Sequence, residues 1–139
     1  MSKRKGKLER AEARYEELRA EMSRLNRRSS ELAIEGRSLQ AELRTAPAAK
    51  RPEMRERLKD IERELKSVRS RREGVGAKIA KLAPIVVALR KRLQAAEQNL
   101  DVLEAGSERT QERLYREYSP HTLRAIEQRA RETIRELMG

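Results

Sequence analysis

Apolar residues recur along this chain in an alternating 3-4 spacing, in two long runs. From residue 8 to 43, one set is Leu8, Tyr15, Met22, Ser29, Gly36 and Leu43. The interleaved set is Ala11, Leu18, Leu25, Leu32 and Leu39. From residue 54 to 103, Leu58, Leu65, Arg72, Ile79, Val86, Leu93 and Leu100 alternate with Met54, Ile61, Val68, Val75, Leu82, Leu89, Ala96 and Leu103. A 3.5-residue repeat sustained this long predicts two coiled-coil helices.

The segment "TAPAAKRPEM", Thr45 to Met54, separates the runs. Pro47 and Pro52 oppose helix continuation. Pro52 followed by Glu53 reads as the opening turn of a helix, with an acid near its positive end. A connection this short favours antiparallel neighbours. Pairing layers outward from Leu43/Met54 matches Leu39 with Leu58, Gly36 with Ile61, Leu32 with Leu65, and so on down to Leu8 with Leu89. The small residues Gly36, Ser29 and Ala11 each then meet a β-branched residue. Each shaft of roughly 36 residues would be about 54 Å long. Gly74, Gly76 and Pro84 interrupt the second run, at about 1 kcal/mol for each Gly and about 3 for Pro. Pro84 falls off the seam, which predicts a kink, with a split at "EGVG" as the competing arrangement.

Two further helix starts follow. In "DVLEAGSER", Gly106 closes one helix and Ser107 caps the next. In "YSPHTLRAIEQ", Ser119 is the cap and Pro120 the first helical residue. The last helix carries Leu123, Ile126, Ala130, Ile134 and Leu137 on one face. Within "IAKLAPIVVALRKRL", Ile85 and Val87 are apolar beyond the seam, which predicts that the C-terminal helices fold back there. The expected fold is all-α: a long antiparallel coiled-coil hairpin with a small C-terminal helical base. The expected divisions are a basic tail over 1–7, a hairpin over 8–104 with its turn at 45–52, and C-terminal helices over 105–139. The alternative is a homodimer in which the apolar stripe meets its own copy.

Composition narrows the function. Charged residues make up 41% of the chain and aromatics 2%, so a broad globular core is excluded and a narrow Leu/Ile/Val seam is what remains. Without the periodicity, such a composition would read as disorder. There are no cysteines, hence no disulfide framework and no thiolate metal site. No run of 18 apolar residues exists, so no membrane span is expected. The N-terminus "MSKRKGKLER" lacks the apolar region of a secretory signal, and a cytoplasmic protein is the default.

Enzyme chemistry finds no foothold. His121, the sole histidine, follows Pro120 and reads as an exposed first-turn residue. A catalytic base or metal site needs partners, and none is evident. The carboxylates are spaced like solvated helix faces. "REGVGAKIAKLAP" has neither the spacing of a phosphate loop nor a preceding strand. No catalytic residue, metal or cofactor is expected.

The basic residues say more. The formal net charge is +11, which favours an anionic partner. Lys3, Arg4, Lys5 and Lys7 form a tail without acids. Between Leu8 and Thr45 basic and acidic residues balance, and the excess returns at Lys50 and Arg51 on the turn, in "RELKSVRSRR", and at Arg90 to Arg92. In the register above, Arg28 and Arg71 face each other, Asn26 lies near Arg69, and Arg72 takes a seam position against Leu25. Glu42/Arg57 and Glu21/Lys78 are complementary, but Arg24, Arg27, Arg28, Lys66, Arg69, Arg71 and Arg72 form an uncompensated belt. Like-charge neighbours cost a few tenths of a kcal/mol each. Alternatively, Arg is a good helix former whose stem covers apolar surface while its head stays in water.

A basic belt on a rigid rod suits nucleic-acid phosphates, of DNA or RNA. With only Tyr15, Tyr115 and Tyr118 as aromatics, base stacking contributes little, and no base-reading motif appears. The expected function is therefore non-enzymatic binding of the nucleic-acid backbone with little sequence selectivity, within a larger nucleoprotein assembly. In the alternative, the arm is a scaffold or adaptor docking on an acidic or helical protein partner, with Leu123, Ile126, Ile134 and Leu137 as the partner face. Through "LRAEMSRLNRRSSELAIEG" the hairpin resembles, in architecture, the helical arm with which seryl-tRNA synthetases grip tRNA. It also resembles the stalk proteins of rotary or export ATPases. No synthetase catalytic segment follows, and no family is assigned. Hairpin factors that enter RNA polymerase carry acidic tips, whereas this turn carries Lys50 and Arg51.

Overall fold

The computed structural model describes residues 4–139, of which Ala105 is described in its backbone only. The fold is all-α. Helix α1 spans Lys7–Leu43, α2 Arg51–Ala105, α3 Glu108–Glu117 and α4 Pro120–Met138. The long helices α1 and α2 pack together as an antiparallel hairpin, with a C-terminal helical part.

The turn is built as its prolines require. α1 stops at Leu43, Thr45 N–H closes on the Glu42 carbonyl, and Lys50 N–H on that of Pro47. Arg51 Nε donates to the Ala46 carbonyl at 3.1 Å, tying the start of α2 to the turn. Pro52 is the second residue of α2, where its missing N–H leaves no bond unmade. α2 then runs unbroken through Gly74, Gly76 and Pro84, so the split at "EGVG" does not occur. Pro84 is exposed, and seam contacts on either side of the glycines hold the helix together.

Residues 16–81 form one compact unit, and residues 4–15 with 82–139 form another. The first holds a two-helix seam whose buried residues are Leu18, Leu25, Leu32, Ile61, Val68 and Val75. Its register is visible at two places. A Cβ on Gly36 would stand 3.6 Å from Ile61 Cγ2, and one on Gly76 would stand 3.6 Å from the Met22 methyl. Both fit the predicted layers Gly36/Ile61 and Met22/Val75. Arg72, at a seam position, is exposed.

The other unit adds a third helix. Leu8 and Leu89 share a cluster with Leu137, and Ala11 and Leu93 pack against it. Ala96 and Ala130 line one shallow groove, and Leu103 and Leu123 another. Residues 89, 96 and 103 of α2 therefore run antiparallel to 137, 130 and 123 of α4, one heptad per step. Two ion pairs flank this row, Arg92–Glu136 at 3.4 Å and Arg131–Glu104. The expected fold-back is met in part: Leu137 of α4 packs with Leu89 and Leu93 of the expected stretch, but not on its extra apolar residues. Ile85 and Val87 remain about half exposed, because α4 covers the face of Leu89 and Ala96 instead. Ala96 and Ala130 are both buried on that face and border one groove.

Caps define the short helices as predicted. Ser107 Oγ accepts from Thr110 N–H at 3.3 Å, and Ser119 Oγ accepts from Thr122 N–H at 3.2 Å. α4 ends at Gly139, whose φ of 85° suits glycine and whose N–H donates to the Arg135 carbonyl. Backbone there touches backbone from the N-terminus. A Cβ on Gly6 would overlap Leu137 and Gly139, and one on Gly139 would overlap the Arg4 carbonyl.

Candidate nucleic-acid interface

The predicted belt residues come together in one unit. Arg24, Arg27 and Arg28 on α1 lie level with Lys66, Arg69, Arg71 and Arg72 on α2, as the Gly36/Ile61 register requires. Arg24, Arg27, Lys66, Arg69, Arg71 and Arg72 are exposed, and among the described residues none of the six makes an ion pair.

Arg28 departs from the prediction. It does not confront Arg71 alone. Its Nε donates to Glu64 Oε1 at 2.8 Å, and Nη1 lies 3.5 Å from Glu31. The Glu64 hydrogen bond, with the carboxylate charges, raises the Arg28 pKa and keeps it a fixed cation. Arg57 likewise pairs with Glu35, not with Glu42. The pair is bidentate, at 2.8 and 2.9 Å. That hydrogen bond pulls the Glu35 carboxyl below its ordinary value.

Both corrections have one cause. Pairing at the expected level would put Glu35 beside Glu64 and Arg28 beside Arg71. Reaching one heptad along the flank turns both like-charge pairs into opposite-charge ones, and an arginine side chain is long enough to do it. The belt is thereby reduced, since Arg28 is partnered.

The tail is also only partly as expected. Lys3 lies outside the described residues. Arg4 and Lys5 are exposed, while Gly6 is buried against the end of α4 and Lys7 opens α1. Lys50 and Arg51 are exposed at the turn. His121 is exposed in the first turn of α4. Among the described residues, no group of three or more His, Cys, Asp or Glu is placed to hold a metal, and no helix is long and apolar enough to cross a membrane.

Leu123 and Leu137 of the alternative partner face are buried within the chain, at 8% and 0% exposure, and Ile126 and Ile134 are half-buried. That stripe is used to attach α4, so its reading as a partner face is corrected. Two groups of cations escaped the sequence reading. Arg109, Arg113 and Arg116 stand on the exposed face of α3. Lys59 and Arg63 join Lys66 around a shallow depression on α2. Their i, i+4, i+7 spacing was the available signal.

Fold and site together define a class, an all-α helical hairpin with an exposed basic surface. Comparison with protein-family models, with curated proteins and with solved structures finds no match. The likeness to synthetase arms and ATPase stalks rests on the hairpin architecture alone.

Proposed function

We propose that this is a non-enzymatic protein that binds the nucleic-acid backbone with little sequence selectivity, as part of a larger nucleoprotein assembly. One observation carries the reading. Six exposed cations, Arg24, Arg27, Lys66, Arg69, Arg71 and Arg72, lie level with one another on the two-helix unit, without ion-pair partners among the described residues. Of the nearby carboxylates, Glu64 and Glu31 are committed to Arg28 and Glu35 to Arg57, while Glu62 and Glu73 stand among the cations without an ion pair among the described residues. Phosphates satisfy such a surface without any base being read.

The test begins with co-purification. The 260/280 nm absorbance ratio should fall after a high-salt wash. Affinity for a mixed-sequence duplex should then drop steeply with salt, with a log–log slope of about −0.9 per phosphate contacted on DNA. A protein free of nucleic acid that fails to shift a duplex at low salt sinks the proposal. That outcome would favour a rod that docks on an acidic protein surface.

A further inference from the structure

The basic belt does not encircle the hairpin evenly, and the ion pairs show how it divides. Arg28–Glu64 and Arg57–Glu35 both bridge α1 and α2 within residues 16–81, so these four residues share one side of the two-helix unit. Helical periodicity places Glu21, Glu31, Glu42 and Asp60 on the same side, together with Arg24 and Arg71. That side is mixed in sign, and Arg28 and Arg57 on it are paired.

The opposite side is different. Its α2 positions carry Arg55, Lys59, Lys66 and Arg69, all exposed. Lys59 and Lys66 border a common surface depression with Arg63. On α1 the same side carries Arg37, whose Nε leans on the Ala33 carbonyl at 3.4 Å. Small and uncharged residues lie between the cations: Ser23, Asn26, Ser30 and Ala33 on α1, Gly76 on α2. Among the described residues, none of Arg37, Arg55, Lys59, Lys66 and Arg69 makes an ion pair. Glu62 and Glu73 are the acids on the α2 part of this side.

We infer that the phosphate-binding surface is this one side of the hairpin, centred on Arg37, Arg55, Lys59, Lys66 and Arg69, and that its ligand is the sugar–phosphate backbone of a nucleic-acid duplex laid along it. The inference rests on the function proposed above and reassigns the site within it. Arg24, Arg28 and Arg71 belong to the other side and lie outside this centre. From Arg55 to Arg69 the surface is about 21 Å long. Along that length one DNA strand presents roughly six phosphates, enough to meet every cation named. Small side chains let a backbone approach closely, and Ser and Asn can donate to phosphate oxygens. No aromatic residue occurs between Glu16 and Lys81, so the surface offers nothing for unstacked bases. That favours a duplex over a single strand.

Two variants of the full chain with equal charge removed separate the sides. One is Lys59→Gln, Lys66→Gln and Arg69→Gln. The other is Arg57→Gln, Lys78→Gln and Lys81→Gln, which lie on the side of the Arg28–Glu64 pair. All six residues are exposed, and helical circular dichroism checks that both variants fold. Fluorescence anisotropy with a labelled mixed-sequence DNA duplex, titrated across salt, is the readout. The first variant should weaken binding about 10- to 100-fold at low salt and flatten the salt slope by about 2 to 3. The second should change affinity by less than about threefold. If wild type binds and both variants lose equally, or the second loses more, the one-sided site is wrong while backbone binding stands. If wild type does not bind the duplex, both the site and the function fall. Tighter binding of a single strand of the same length would overturn the duplex assignment alone.

Discussion

The two compact units solve the same burial problem with different numbers of helices. In residues 16–81, two helices share one seam, and only one of the two interleaved heptad sets is fully buried: Leu18, Leu25 and Leu32 on α1, Ile61, Val68 and Val75 on α2. The other set, including Met22, Ser29, Gly36, Leu58, Leu65 and Ile79, stays half-exposed. In residues 4–15 with 82–139, α4 closes over the α2 seam, and Leu8, a residue of the half-exposed set, becomes 2% exposed. A third helix converts a seam into a core. It also covers part of the surface that the two-helix unit leaves open.

The sharpest way to break this contrast is Leu137→Ala. Leu137 is fully buried between Leu8 and Leu89, and its truncation should cost about 2–5 kcal/mol. Amide hydrogen exchange should speed up in α4 while residues 16–81 keep their protection. Uniform acceleration would mean that the units do not open separately. Within the two-helix unit, Leu32→Ala should cost a similar amount in urea unfolding. Leu65→Ala, at the half-exposed partner position, should cost distinctly less. Equal losses would show that both heptad sets are buried alike.

Gly6→Val tests the backbone contact between the N-terminal residues and α4. The new side chain overlaps Leu137 and Gly139, and a loss of about 1–3 kcal/mol is expected. No change in the urea midpoint would mean that residues 4–6 contribute nothing to holding α4.

The smallest effect is electrostatic. Glu35 has its folded pKa lowered by the hydrogen bond from Arg57. A depressed carboxyl stabilises the fold above its unfolded pKa and loses that contribution as pH falls through the folded value. The increment should therefore be present at neutral pH, shrink below the ordinary carboxylate range, and vanish in Arg57→Gln. Being exposed, it should also shrink with salt. A pH dependence identical in wild type and Arg57→Gln would remove the pair from the account.

Periodic features were legible before the structure. The heptads located both long helices, the prolines located the turn, and Ser107 and Ser119 located the caps, because each depends on neighbours within a turn or two of chain. What failed depended on choices among distant partners. Ile85 and Val87 looked like the landing site for the C-terminal helices, yet α4 covers the row of Leu89 and Ala96 and leaves those two about half exposed. Arg28 looked unpaired, yet Glu64 lies within reach one heptad along. Lys59 and Arg37 were passed over because a charge excess was counted along the chain rather than around the hairpin.

The sequence by itself determined that the chain is helical, where it turns, and which residues line the seam between α1 and α2. A 3.5-residue apolar repeat and a short proline-bearing loop leave few other arrangements of low energy. Tertiary structure alone decided which row of α2 accepts α4, which arginines are neutralised, and which side of the hairpin keeps its charge exposed. Those outcomes follow from side-chain reach and from which rows of two helices face each other once the chain has folded back. Neither is a property of any local stretch of sequence.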